Sequence, residues 1–373
     1  MGKADMERLN IKLSTFMSDI HDTLQILDQT PASSLQKGSW VDVINMGEQL
    51  SKQATVAGML FTEERTEVKH LEENMGTYFN VLQGLLLHAY GSTVGAGPTL
   101  TSNIHASIKQ AVDCSFMLWR ESVSYYGSRT NELKLKVPQR VGTVWEACSA
   151  LKKTPATNIV AIGRAMTQVA VSMKDVLREM KELQPCSSDE KSETESQNLE
   201  ESISAAENDD GDDDDDFGKD LTPEEMKIAN LAIQIVSEIV LVIKELIRSI
   251  TLLLKTESFN ENDSVESLEK LLKLSRDMGA QVDELGACLY PPQEHSAIST
   301  ACEKISNLAD EMSKILGSIK GLTDAFSKSC NALEKALEML RAELSEDSAV
   351  EAIPQNSSSL DVVAAMQDLS VQG

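Results

Sequence analysis

Aromatic residues make up only 4% of this chain, although 41% of it is hydrophobic. Packing therefore falls to Leu, Ala, Met, Ile and Val, which suits helices laid on helices. Gly and Pro are also few, 19 and 9 in 373 residues, and they cluster, so most of the length is open to long helix. No stretch alternates apolar and polar residues for long enough to predict a strand. Positive charge is short too. Lys and Arg number 34 against 59 Asp and Glu, leaving a net charge of −25. A phosphate backbone needs cations to neutralise it, so direct nucleic-acid binding is not expected. Six cysteines (Cys114, Cys148, Cys186, Cys288, Cys302, Cys330) form no Cys-x-x-Cys pair. The residues from Met1 to Met6 lack the apolar stretch of a secretion signal, and Met6 stands where a myristoylation signal takes Ser or Thr. Reduced thiols in the cytoplasm or nucleus are the expectation. The most apolar run, Ile228 to Ile243, is shorter than a membrane span and carries Gln234 and Glu238. It reads as a central bundle helix, and no membrane partner is expected.

Catalytic constellations are missing as well. None of the five histidines (His21, His70, His88, His105, His295) pairs with another His or Cys at helical spacing, and no His-Glu-x-x-His occurs. Gly95-Ala96-Gly97 lacks both the Lys-Ser/Thr and the preceding strand of a phosphate loop, and reads as a flexible connection. No Gly-x-Ser-x-Gly is present. The expectation is a non-enzymatic binding protein with no cofactor and no metal.

What is abundant is acid, and it is concentrated. Gln184 to Asp220 holds fifteen Asp or Glu against two Lys, a net charge of −13, with Asp212 to Asp216 as an unbroken run. Charge this dense repels itself, and little here can be buried, so the stretch predicts a disordered linker. Ser187, Ser192 and Ser204 each have Glu three residues later, the pattern that acid-directed kinases favour. An acidic coil offers such triplets by chance about as readily.

Either side of the acid, helical periodicity dominates. Leu9, Leu13, Phe16, Ile20, Leu24 and Leu27 recur at steps of three or four, and Pro31 ends that helix. Helices are expected from Trp40 to about Phe61, from Glu64 to Tyr90, along Ile104 to Trp119, from Val141 to Leu151 after a break at Pro138, and from Ile159 to Met180. Arg129, Lys134, Lys136 and Arg140 form a small basic cluster that reads as a solvated loop. After the acid, Thr222-Pro223-Glu224-Glu225 is a helix start, with Thr as N-cap, Pro at the first position and Glu closing a capping box. Three further helices follow in heptad rhythm, through Leu268 to Leu289, Ile298 to Ile319 and Phe326 to Leu344, with Pro291-Pro292 as a stop. The fold class is therefore all-α: two antiparallel helical-bundle arrays joined by the acidic linker. The expected parts are an N-terminal bundle (1–183), the linker (184–220), a C-terminal bundle (221–345) and a flexible tail (346–373).

Two short stretches carry a resemblance. Val282-Asp283-Glu284-Leu285, followed by Leu289-Tyr290-Pro291-Pro292, is similar to a Val-Asp-Asp-Leu then Tyr-Pro-Pro run of the cyclin-D-binding protein family. Val144-Trp145-Glu146-Ala147-Cys148 resembles that family's Val-Trp-x-Ala-Cys. The order of parts is similar over most of residues 40 to 320. The glycine loop from Gly91 to Pro98 and the tail after Ser345 depart from the family pattern. The resemblance implies binding rather than catalysis. D-type cyclins and helix-loop-helix transcription factors are the implied partners, with negative control of cell-cycle progression and transcription, in the manner of Id-like inhibitors. Val282, Asp283, Leu285, Tyr290, Pro291, Pro292 and Trp145 are the implied motif or partner-binding residues. Physically, Tyr290-Pro291-Pro292 is a helix stop with an aromatic anchor, and Trp145 reads as a buried packing residue. The competing reading is a cytoskeletal or adhesion-type bundle scaffold, resembling vinculin-like modules, which long amphipathic helices would serve equally well.

Overall fold

The computed structural model describes residues 3–29, 31–32, 34–62, 67–128, 130–185, 220–253 and 261–350. The acidic residues 186–219, with Ser187, Ser192 and Ser204, lie outside the described residues, as do 351–373. Ten α-helices account for nearly all of what is described: α1 Lys3–Ile26, α2 Trp40–Thr62, α3 Val68–Ser92, α4 Pro98–Ser128, α5 Asn131–Ala150, α6 Asn158–Met180, α7 Pro223–Leu253, α8 Glu261–Ala287, α9 His295–Ser318 and α10 Asp324–Val350. The all-α class holds. The one sheet contact among the described residues is a two-residue parallel bridge, with Gln184 opposite Asp220 and Pro185 opposite Leu221.

The chain divides into two compact units. The first is Met1–Met166 with Ile250–Lys273, and the second is the described part of Thr167–Ser249 with Leu274–Gly373. In the first, α1 lies on α3, α3 on α2, α2 on α5, α5 on α4, and α4 returns to α1, closing a five-helix ring. Several of the few aromatic side chains meet inside it. Trp119 meets Phe61 and Tyr78 edge-on at centroid distances of 5.6 and 5.3 Å, and Phe16 stacks on Phe79 at 5.2 Å. Such pairs add to burial through the ring quadrupole. In the second unit the core is almost wholly aliphatic. Along α7 it includes Ile228, Ala232, Ile235, Ile239, Ile243 and Leu246, all buried. By length and composition alone α7 could cross a membrane, but these residues face protein.

Local signals explain most boundaries. At the start of α7 the capping box forms in both directions. The Thr222 N–H donates to Glu225 Oε2 at 3.0 Å, and the Glu225 N–H donates to Thr222 Oγ1 at 3.2 Å. Thr222→Ala is expected to cost about 1 kcal/mol, with fraying confined to the first turn of α7, seen as faster amide exchange there. Protection unchanged from the parent would show that the box contributes nothing.

Three expectations about connections fail. Pro138 does not separate two helices but sits inside α5. The helix begins at Asn131, where Thr130 caps it, and Pro138 is exposed, so its ring and missing N–H fall on the solvent side. Lys134, Lys136 and Arg140 accordingly lie on that helix rather than in a loop, Lys136 paired with Glu132 and Arg140 with Glu121. The Gly95–Gly97 connection is likewise not a loose one. The Gly97 N–H donates to Asn158 Oδ1 at 2.7 Å, and Asn158 Nδ2 donates to the Gly95 carbonyl at 3.0 Å. Gly95 has φ 73°, a left-handed conformation that glycine adopts freely. Just beyond, the carboxylate of Glu269 accepts from the Thr99 N–H at 2.9 Å and from its hydroxyl at 2.7 Å, satisfying the first turn of α4. Asn158 is only 1% exposed.

Candidate protein-binding site

The Val282 to Pro292 stretch ends α8 and divides by role. Val282, Leu285 and Leu289 recur at steps of three and four and are fully buried, holding the helix to the core of the second unit. Asp283 and Tyr290 point the other way, and Tyr290 is 46% exposed. After Ala287 the chain cannot continue as helix through Pro291 and Pro292, which are joined by a cis peptide bond. Gln293 fixes the corner. Its Nε2 donates to the Leu289 carbonyl at 3.0 Å and to the Glu225 carbonyl at 3.1 Å, tying the turn to the start of α7.

Beside Tyr290 lies a groove of about 290 Å³ between α8 and the last turns of α6. Its floor is apolar, formed by Val176, Met180, Leu183 and Ala287, while Glu179 and Asp283 supply its polar edges. Glycine makes it. A side chain at Gly286 would place its Cβ 3.0 Å from Val176 Cγ1, and one at Gly279 would meet Val169 Cγ1 at 3.3 Å. The two helices therefore approach closely, and the groove opens where α6 runs out past Met180. Sequence reading reached Asp283 and Tyr290 but missed the α6 wall, because which helix packs on α8 is a tertiary matter. The available signal was a pair of glycines, Gly279 and Gly286, one heptad apart inside a helical pattern.

Trp145 belongs to the first unit, apart from the Tyr290 motif in the chain and in its packing. It is not buried: 46% of it is exposed. Its indole N–H donates to the Ser51 carbonyl and to Thr55 Oγ1, both at 3.2 Å, so the ring lies across α2 with its polar atom satisfied. At its position on α5 it faces the α2 ridge rather than the ring interior, where Val144, Ala147 and Cys148 sit.

Among the described residues no cluster of three His, Cys, Asp or Glu is arranged to hold a metal ion. Cys114, Cys148, Cys288, Cys302 and Cys330 are free thiols, and burial raises the pKa of each. Cys148 and Cys302 are pushed up to about 11, so neither supplies a thiolate nucleophile near neutral pH. The folded state holds these protons more tightly than the unfolded chain does. Their contribution to stability is intact below the ordinary thiol value of 9.0 and is lost as pH climbs toward about 11. Iodoacetamide at neutral pH is expected to leave Cys148 and Cys302 unmodified in the native chain and to label both after denaturation, as read by peptide mass mapping. Prompt native labelling of either would show that its surroundings open readily.

Comparison with known proteins places this geometry in context. The N-terminal domain of the Grap2 and cyclin-D-interacting family matches residues 42–186, and that family's C-terminal domain matches residues 207–314. Together they cover about two thirds of the chain. Trp145 falls within the first match, and Val282 to Pro292 within the second. The chain is also similar to a cyclin-D1-binding protein 1 homolog of Xenopus laevis, at 22% identity over 242 residues, covering 65% of this chain and 68% of the frog protein.

Proposed function

We propose that this chain, which belongs to the Grap2 and cyclin-D-interacting family, is a non-enzymatic regulator that binds D-type cyclins through the Tyr290 groove. One observation carries the choice of site: Tyr290 stands half-exposed over an apolar floor at a corner held rigid by Gln293. A rigid aromatic beside a preformed apolar groove is the usual composition of a binding hot spot. Two features support binding over catalysis: the raised thiols and the family's interaction-based description. The finer reading is that such binding restrains cell-cycle progression and transcription, with helix-loop-helix factors as further partners, in cytoplasm and nucleus. The cytoskeletal scaffold alternative draws nothing from the family match.

The test is capture of a purified D-type cyclin by the full chain and by two variants. Tyr290→Ala is expected to weaken binding at least tenfold, on the order of 2 kcal/mol for a hot-spot tyrosine. Trp145→Ala, with its ring against its own α2, is expected to change it less than threefold. If no cyclin is captured, the partner assignment fails. If Trp145→Ala is the damaging change, the site lies on the first unit instead.

A further inference from the structure

The Tyr290 groove carries charge of one sign. Glu179 and Asp283 are its charged lining residues, on opposite walls, and no Lys or Arg is among the described residues that line it. On α6, Arg178 is taken up by Asp175 at 3.4 Å. Lys181, exposed between Met180 and Leu183, is the near cation and is not among the lining residues, while further carboxylates stand close by on the α8 side. After burial, Glu284 and Glu294 are what raise the Cys288 thiol, two residues before Tyr290. The chain also leaves the groove into acid. Leu183 lines the floor, and the next residue opens the stretch from Gln184 to Asp220 with its net charge of −13. The backbone pairing of Gln184 with Asp220 brings both ends of that stretch to the groove end of the second unit, where Gln293 also holds Glu225.

An apolar slot bounded by carboxylates, on a chain of net charge −25, selects against acidic partners and steers basic ones. At about 290 Å³ the slot accommodates one or two large apolar side chains and falls at the small end of small-molecule pockets. We propose that the groove docks a basic amphipathic segment of a partner protein. An apolar side chain of the partner enters between Met180 and Tyr290, and flanking Lys or Arg meets Glu179 and Asp283. This inference rests on the reading of the groove as the protein-binding site, and it adds the chemistry of what fits there. The mode is that of an amphipathic helix laid in a groove, with anchors at helical spacing.

The test uses the full chain and a labelled eighteen-residue helical peptide of Leu and Lys (about five turns), with a Leu and Glu peptide of the same pattern as control, followed by fluorescence anisotropy. A Lys-rich peptide will also cling to the acidic stretch, so three altered chains separate the sources. They are Glu179→Lys with Asp283→Lys, Tyr290→Ala, and a chain with Asp212 to Asp216 changed to Asn. The expected result is binding of the Leu and Lys peptide but not its Glu counterpart. The groove changes should each weaken it at least tenfold, and neutralising the Asp run less than threefold. Circular dichroism confirms that each chain retains its helix. Loss that follows the Asp run alone, or equal binding of both peptides, overturns the proposal. Cyclin capture by the same preparations keeps the two ideas apart. Cyclin binding that depends on Tyr290, with no groove-dependent peptide binding, sinks this inference and leaves the cyclin reading standing. The reverse pattern supports this inference and removes the cyclin assignment.

Discussion

Trp119→Ala is expected to destabilise the five-helix unit by about 3–5 kcal/mol, while Trp119→Phe costs less than half as much. Trp119 is fully buried, touches Phe61 and Tyr78 edge-on, and lies 5.9 Å from Phe79 in a tilted arrangement. Alanine would leave a large cavity lined by rings that are themselves held by helix packing and cannot collapse to fill it. Phenylalanine keeps most of the contacts. It also removes a burden, because the indole N–H of Trp119 is buried without an acceptor among the described residues. An unsatisfied buried donor costs about 1–3 kcal/mol, so its loss offsets part of the lost packing. Urea unfolding followed by circular dichroism gives both values. Equal losses for Ala and Phe would show that the indole N–H is no burden. A loss below about 1 kcal/mol for Ala, far under the usual aromatic-to-Ala cost, would show that Trp119 is not central to the core.

Asn158→Ala and Glu269→Ala form the second pair. Each is expected to cost about 2–3 kcal/mol, which is large for residues far from the aromatic core. Removing the Asn158 amide leaves the Gly97 N–H and the Gly95 carbonyl without their partner in a closed site. Removing Glu269 strips the Thr99 N–H and hydroxyl of a charged acceptor at the start of α4. Charge-assisted bonds of this kind are roughly twice as strong as neutral ones. Because Thr99 and Glu269 act as a pair, Thr99→Ala combined with Glu269→Ala should cost less than the sum of the single changes, by about 1 kcal/mol. Strict additivity in that cycle would mean that the contact does not form in solution. Asn158→Asp, which keeps an acceptor for the Gly97 N–H but turns a buried carboxylate oxygen onto the Gly95 carbonyl, is expected to cost at least as much as Ala.

The helices could be read from the chain because apolar steps of three and four are a local property, and capping at Thr222 is more local still. Where reading failed, the place of a residue in the folded helices had decided the matter. Pro138 looked like a break, yet it lies on the exposed side of α5, where the helix tolerates it. Gly95 to Gly97 looked like slack, because nothing near it in sequence announces Asn158 as its clamp, sixty residues on. Trp145 looked like core, since a large aromatic amid Val144, Ala147 and Cys148 invites burial. Its register on α5, one position past Val144, turns it onto α2 instead. The motif at the end of α8 was legible as a unit, but its division into buried Val282 and Leu285 and outward Asp283 and Tyr290 needed the packing partner.

The uneven distribution of rings has an optical consequence. All three tryptophans, Trp40, Trp119 and Trp145, belong to the first unit, and the second has none. Intrinsic tryptophan emission therefore reports on one half of the molecule and is blind to the other. A melting curve followed by emission and one followed by backbone ellipticity need not coincide, and the gap between them measures how far the two units unfold independently. A tryptophan placed at Tyr290 would light the dark half at the groove itself, and its colour would register whatever settles there.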